Sequence, residues 1–186
     1  RMKESEEKIM KKIGIIGAME LEVETLKSKM DVKKTAKKAG MEFFEGKLNG
    51  VDAVIVRSGI GKVNAGICTQ ILVDLFDVTH IINTGVAGSL DADIDIGDIV
   101  VSTDVCQHDM DVTVMGYKPG EIPQLGTLSF PADEKMAALA KSVCEKVNIG
   151  IKVFSGRIVS GDQFICDKAV KDKIISNFHA LCTEME

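Results

Sequence analysis

An apolar run that stops at small residues and passes straight into acidic ones sets the first constraint on this chain. Lys12 to Leu26 reads KIGIIGAMELEVETL. The β-rich run closes at Gly17-Ala18-Met19, and Glu20 and Glu22 enter the segment after it. A short buried strand, a small-residue turn and a helix make the opening unit of an open α/β sheet. Ligands of such sheets sit outside the carboxyl ends of the strands, where Glu22 falls. The plainer alternative is that Glu20, Glu22 and Glu24 only favour the first helical turn through the helix dipole.

The same grammar recurs along the chain. Leu21 to Met30 has helical spacing and Asp31-Val32 closes it; Lys33 to Asn49 reads as a strand pair split at KKAG, with Asn49-Gly50 as a hairpin signal. VDAVIVR, residues 51 to 57, is a strand that runs into Ser58-Gly59-Ile60-Gly61, after which Val63, Ile67, Ile71, Leu72 and Leu75 recur at helical spacing. HIINTG, from His80, ends in Val86-Ala87-Gly88, and Ile99 to Gln107 is a further strand. Asp133 to Val147 predicts a helix that covers the sheet through Met136, Leu139, Ala140, Val143 and Val147. Ile151 to Ser160 is a strand, Asp167 caps a helix from Lys168 to Asn177, and Ala180 to Glu186 is a last strand ending in carboxylates. The expected fold is therefore α/β: a single three-layer domain, a mixed central sheet flanked by helices, over residues 12–186. Residues 1–11 read as an N-terminal extension.

Charge and composition narrow the function. With 23 basic and 28 acidic side chains the net charge is -5, opposite to a nucleic-acid footprint. No apolar run reaches the roughly 20 residues of a membrane span, and the charged start does not resemble a secretory signal, so the expected location is cytoplasmic. Five cysteines without any C-x-x-C suggest neither a disulfide framework nor zinc, and are read as small buried hydrophobes. Three motifs have weak alternative readings. Gly59-x-Gly61 starts a dinucleotide fingerprint whose third glycine is replaced by Asn64. The acidic run Asp91 to Asp98 lacks the late glutamate of a calcium loop and reads as solvated. His108, Asp109 and Asp111 have metal-ligand chemistry but no second cluster. What remains is a carboxylate pair, Glu22 and Glu186, on strand-end loops with glycine-rich turns and Phe164, a combination that suits a flat heterocycle joined to a polyol.

Seven stretches in order, IGIIGAMELEVETL, SGIGKVNAG, NTGVAGSL, IGDIVVS, HDMDVT, VSGDQFI and EME, resemble the 5′-methylthioadenosine/S-adenosylhomocysteine nucleosidases of the nucleoside phosphorylase superfamily. The resemblance implies a homodimer that needs no cofactor or metal and hydrolyses the N-glycosidic bond of 5′-methylthioadenosine, S-adenosylhomocysteine and 5′-deoxyadenosine, in methionine salvage. Glu22 then matches the glutamate that activates water. Met185 and Glu186 match the ribose-holding pair, Phe164 the aromatic stacked on adenine, and Ile165 its edge contact. Ala87 and Gly88 match residues beneath the nucleoside, and Ile60 one at the alkylthio end. Val112, Met115 and Pro123 match positions given to a neighbouring subunit's alkylthio pocket. Two departures stand out. Val86 replaces a serine of the N-T-G-S-A-G run. The aspartate that protonates the purine belongs to an R-A-I-S-D segment expected beyond residue 186. A phosphate-dependent purine nucleoside phosphorylase, with Arg57 as anion partner, and a catalytically inactive adenosine-binding subunit are the alternatives.

Overall fold

The computed structural model describes residues 12–186, and the extension expected at residues 1–11 lies outside them. The chain divides into two compact units, one ending at Gly85 and one spanning Val86–Glu186. The first contains β1 (Ile13–Gly17), α1 (Glu20–Ser28), β2 (Met30–Lys38), β3 (Met41–Leu48), β4 (Val51–Arg57), α2 (Lys62–Phe76) and β5 (His80–Asn83). Its strands form one five-stranded sheet in the order β2-β3-β4-β1-β5. β4, β1 and β5 run parallel, with Ile13 level with Ala53 and His80. The hairpin β2-β3 joins antiparallel at β4, leaving β2 with its four lysines at the edge.

The central strands are apolar on both faces because both faces are covered. Ile15, Ala53 and Ile55 bury with Val23 and Met30, on the α1 side. Ile16, Val54 and Val56 bury with Phe43, Cys68, Leu72 and Phe76, on the α2 side. Phe43 and Phe76 stack with ring centroids 5.1 Å apart. Each fully buried large side chain here, such as Phe43, Ile55 or Leu72, contributes about 1.5–3 kcal/mol by leaving water. Of the spacing expected for α2, Leu72 is buried, whereas Val63, Ile67 and Leu75 are exposed and Cys68 and Phe76 take their place.

The second unit contains β6 (Gly88–Ser89), β7 (Ile99–Gln107), a short 3-10 turn (Thr113–Met115), β8 (Phe130–Pro131), α3 (Glu134–Val147), β9 (Val153–Ser160), α4 (Lys168–Phe178) and β10 (Cys182–Glu184). Its sheet order is β6-β10-β9-β7-β8, with the three inner strands parallel and both edge strands antiparallel. Leu90, Cys106, Val159, Ile174, Phe178 and Ala180 form its core. Arg157 on β9 binds Asp104 on β7 through Nε and Nη2, at 2.6 Å for the shortest contact, and donates from Nη1 to the Phe178 carbonyl at 3.0 Å. Burial alone would raise the Asp104 carboxyl, but Arg157, Ser129 and Thr103 outweigh it and hold the group below its ordinary range.

The α/β class with mixed sheets and flanking helices is as the sequence predicts. The single central sheet is not: the strands pair as two five-stranded sheets. The chain leaves β5 at Asn83 without strand structure until Gly88, and the two-residue β6 then pairs antiparallel with β10. A second correction concerns α3. Its span matches, with Asp133 as the cap, but Leu139, Val143 and Val147 are exposed; the half-buried face is Met136, Ala137, Lys141, Ser142 and Cys144. The helix meets β7 and β9 through small and long-stemmed residues, so the apolar stripe points elsewhere. The cysteines divide too. Cys68, Cys106 and Cys182 are buried, Cys144 is half-buried and Cys166 is exposed.

Candidate functional site

In both units the candidate residues collect where parallel strands end. In the first, β1, β4 and β5 finish level, Gly17 beside Arg57 and Ile16 beside Asn83. The loops beyond them are laced together by backbone bonds: Ser58 N–H donates to the Gly17 carbonyl (2.9 Å), Gly59 N–H to Ala18 (3.2 Å) and Thr84 N–H to Ile16 (2.9 Å). Glu22 stands in the first turn of α1, half-buried. Its Oε2 accepts from the Met19 N–H at 2.8 Å, reaching back to the residue that caps its own helix, one half of a capping box. Its other oxygen lies against Gly85, where a Cβ would stand 2.6 Å from Oε1. A side chain at 85 would push the carboxylate away, so the glycine is what lets the β5 loop approach it.

Ile60 lies on the β4-α2 loop, half-exposed at 51%. Asn64, the residue that breaks the dinucleotide fingerprint, donates from Nδ2 to the Ile60 carbonyl at 2.7 Å. It therefore fixes the loop that the fingerprint reading would have left for a phosphate. Arg57 Nε is 3.8 Å from Glu20, which also binds Lys27 at 2.8 Å.

In the second unit the strand ends of β7, β9 and β10 deliver His108, Gly161 and Met185. Ala87 and Gly88 are exposed, and Gly88 pairs with Thr183 of β10. Phe164 is 83% exposed, whereas Ile165 packs on the core. Met185 and Glu186, both half-buried, follow β10 directly. Val112 and Met115 flank or lie in the 3-10 turn, and Pro123 is on the loop between β7 and β8; Met115 is 69% exposed. Val86 is exposed as well. Asp109 and Asp111, the metal alternative, have other work: Asp109 accepts from the Asp162 N–H at 2.9 Å and Asp111 from Thr113, which lowers its carboxyl below the usual range. Among the described residues no group of three or more His, Cys, Asp and Glu side chains is placed to hold a metal ion. Burial pushes the Cys106 and Cys182 thiols up to about 11 and Cys68 to about 12, which keeps all three protonated and unreactive near neutrality.

The structure adds a pair to which sequence reasoning gave no role, Glu184 and Ser160. Glu184, at the end of β10, takes a hydrogen bond on Oε1 from the Ser160 hydroxyl and on Oε2 from the Glu186 N–H, the latter at 2.7 Å. The signal was present in E-M-E, whose first glutamate closes the last strand two residues before Glu186.

The phosphorylase superfamily model matches residues 12–186. The 5′-methylthioadenosine/S-adenosylhomocysteine nucleosidase of Halalkalibacterium halodurans is 44% identical over 178 residues, 95% of this chain and 76% of the relative. The chain belongs to the phosphorylase superfamily, among its methylthioadenosine/adenosylhomocysteine nucleosidases. Solved relatives agree in fold. The Colwellia psychrerythraea nucleosidase, in complex with adenine, superposes with a TM-score of 0.90 at 43% identity, covering 95% of this chain and 73% of that one. The futalosine hydrolase of Helicobacter pylori superposes with a TM-score of 0.88 at 33% identity, covering 95% and 75%. Among the described residues no helix is long and apolar enough to cross a membrane.

Proposed function

We propose that this chain hydrolyses the N-glycosidic bond of 5′-methylthioadenosine, S-adenosylhomocysteine and 5′-deoxyadenosine, releasing adenine and the thioribose or deoxyribose. The observation that carries the reading is the held carboxylate of Glu22, fixed by Met19 N–H and faced by Gly85, in a chain 44% identical to a 5′-methylthioadenosine/S-adenosylhomocysteine nucleosidase. As the bond between ribose C1′ and the purine nitrogen breaks, its electrons move into adenine and positive charge builds on the sugar. Glu22 takes a proton from the attacking water, whose oxygen bonds to C1′, and the departing purine takes a proton from a general acid, so that the elements of one water are added across the broken bond once Glu22 returns its proton to solvent. This is general-base glycoside chemistry.

The other assignments rest on family membership and on position. Glu186 accepts from the ribose hydroxyls beside Met185, exposed Phe164 stacks on adenine, Ile165 offers backbone groups to its edge, Ala87 and Gly88 lie beneath the nucleoside, and Ile60 meets the alkylthio group. The working form is a cytoplasmic homodimer in which Val112, Met115 and Pro123 complete a neighbouring copy's alkylthio pocket. Residues 12–186 act as one nucleosidase domain. The phosphorolytic alternative needs Arg57 for an anion, and Arg57 already faces Glu20.

The test is adenine release from 5′-methylthioadenosine by protein expressed from the complete reading frame, with and without phosphate. Release independent of phosphate is the expected result. Release only with phosphate makes the protein a phosphorylase, and tight binding without release makes it an adenosine-binding subunit.

A further inference from the structure

We propose that Glu184 is a positioning residue for the ribose-binding segment, acting through the backbone of Glu186. The inference rests on the reading above, in which Met185 and Glu186 hold the sugar. β10 ends at Glu184, so Met185 and Glu186 lie beyond its ladder and gain from a further restraint. The Glu184 side chain supplies that restraint. One oxygen accepts the Glu186 N–H at 2.7 Å, and the other is held by the Ser160 hydroxyl at the end of β9. The Gly161 N–H donates to the Glu184 carbonyl at 3.2 Å, closing the same two strand ends from the main chain. The β9-β10 register places Ser160 level with Glu184, which is why a hydroxyl reaches the carboxylate. A half-buried carboxylate bonded at both oxygens has little freedom, and neither does the peptide N–H it holds. The Glu186 backbone is thereby set before a sugar arrives, so that its ordering is not charged against binding.

Glu184 contacts no substrate in this scheme, and its charge is dispensable. A glutamine keeps one oxygen for the Glu186 N–H and directs its amide N–H at the Ser160 oxygen, whereas alanine removes both bonds.

The experiment compares the affinity of wild type, Glu184→Ala, Glu184→Gln and Ser160→Ala for adenine and for a non-hydrolysable, carbon-linked analogue of 5′-methylthioadenosine, the nucleoside ligand of the comparison, by titration calorimetry, with thermal melts recorded alongside. Wild type should bind the nucleoside more tightly than the base. Glu184→Ala should lose about tenfold or more for the nucleoside, as expected for a lost charge-assisted bond in a site, and keep its affinity for adenine. Glu184→Gln should stay near wild type, and Ser160→Ala should fall between. Ser160→Ala and Glu184→Gln keep the test open if Glu184→Ala fails to fold. An equal loss for adenine and nucleoside, or a Glu184→Gln as weak as Glu184→Ala, overturns the inference while leaving the proposed reaction standing. A wild type that gains nothing from the thioribosyl group overturns both.

Discussion

The two units start their helices in different ways. In the second, α3 and α4 are capped from outside: Asp133 accepts from the Met136 N–H at 2.8 Å, and Asp167 from the Val170 N–H at 3.0 Å. Each aspartate stands outside the helix that it caps. In the first, α2 starts at Gly61 with no side-chain cap, and α1 is fastened by Glu22 from within its own first turn. The same carboxylate that ties down the helix start also faces the β5 loop at Gly85. A cap placed outside a helix can be lost at a cost in stability alone; one that is also the proposed base couples stability to chemistry.

The sharpest break of that comparison separates the two tasks of Glu22. Glu22→Gln keeps an oxygen for the Met19 N–H and should melt near wild type, yet turnover should fall about 10²–10⁴-fold, the usual worth of a general base. Glu22→Ala should show the same turnover loss and melt lower as well. Wild-type turnover in Glu22→Gln would remove Glu22 from the mechanism.

A pair of alanines at glycines tests the units against each other. At Gly85 the three atoms nearest an added methyl all belong to the Glu22 carboxyl group, the far end of a side chain that can turn aside. We expect a loss in melting no larger than that of Glu22→Ala, from the loosened Met19 bond, and about a hundredfold loss in turnover from a carboxylate moved by around an ångström. At Gly161 it meets the rigid His108 imidazole, so Gly161→Ala should destabilise the fold by about 1–3 kcal/mol, measured by denaturant unfolding. Equal melting of the two variants would contradict the distinction. Smaller still, Asp167→Ala should cost about 1 kcal/mol of stability and leave kcat unchanged.

The gentlest effect is confined to acid. Because Arg157 holds the Asp104 carboxyl below its unfolded value, the pair's contribution is fully present above about pH 4 and is lost as pH falls through the lower folded value. Wild type and Asp104→Asn should therefore differ in melting temperature at neutrality and converge in stronger acid. A constant gap across pH would show that the difference is not ionic.

Where structure is local, the sequence reveals it. β4 and β7 fall at the expected residues, and Asp167 caps α4 as its type and place require, because both signals lie within a few neighbouring residues. The hairpin is legible from Gly40 and the Asn49-Gly50 turn, although β2 begins at Met30, inside the segment expected to be helical. What escaped detection depends on distant partners. β6 and β8 are two residues each and exist only through β10 and β7, so no periodicity announces them. The split into two sheets follows from those pairings. At the site, Glu22 is legible from its place after a strand and a small-residue turn. The close approach of Gly85 to it joins residues 63 apart in sequence and is not. The lattice of bonds at Glu184 likewise needs Ser160, which the strand register supplies.

One surface feature bears on how the protein behaves in company. The outermost strand of the first sheet, β2, carries Lys33, Lys34, Lys37 and Lys38, all exposed, and a bulge between Val32 and Lys34 breaks its alignment with β3. An open strand edge invites another chain to add on, and clustered ammonium groups with a local twist discourage that. Two copies meeting edge to edge would bring like charges together while offering a ladder with a gap in it. Concentrated solutions should stay free of fibrillar association through this edge, and neutralising the lysines would remove that protection first.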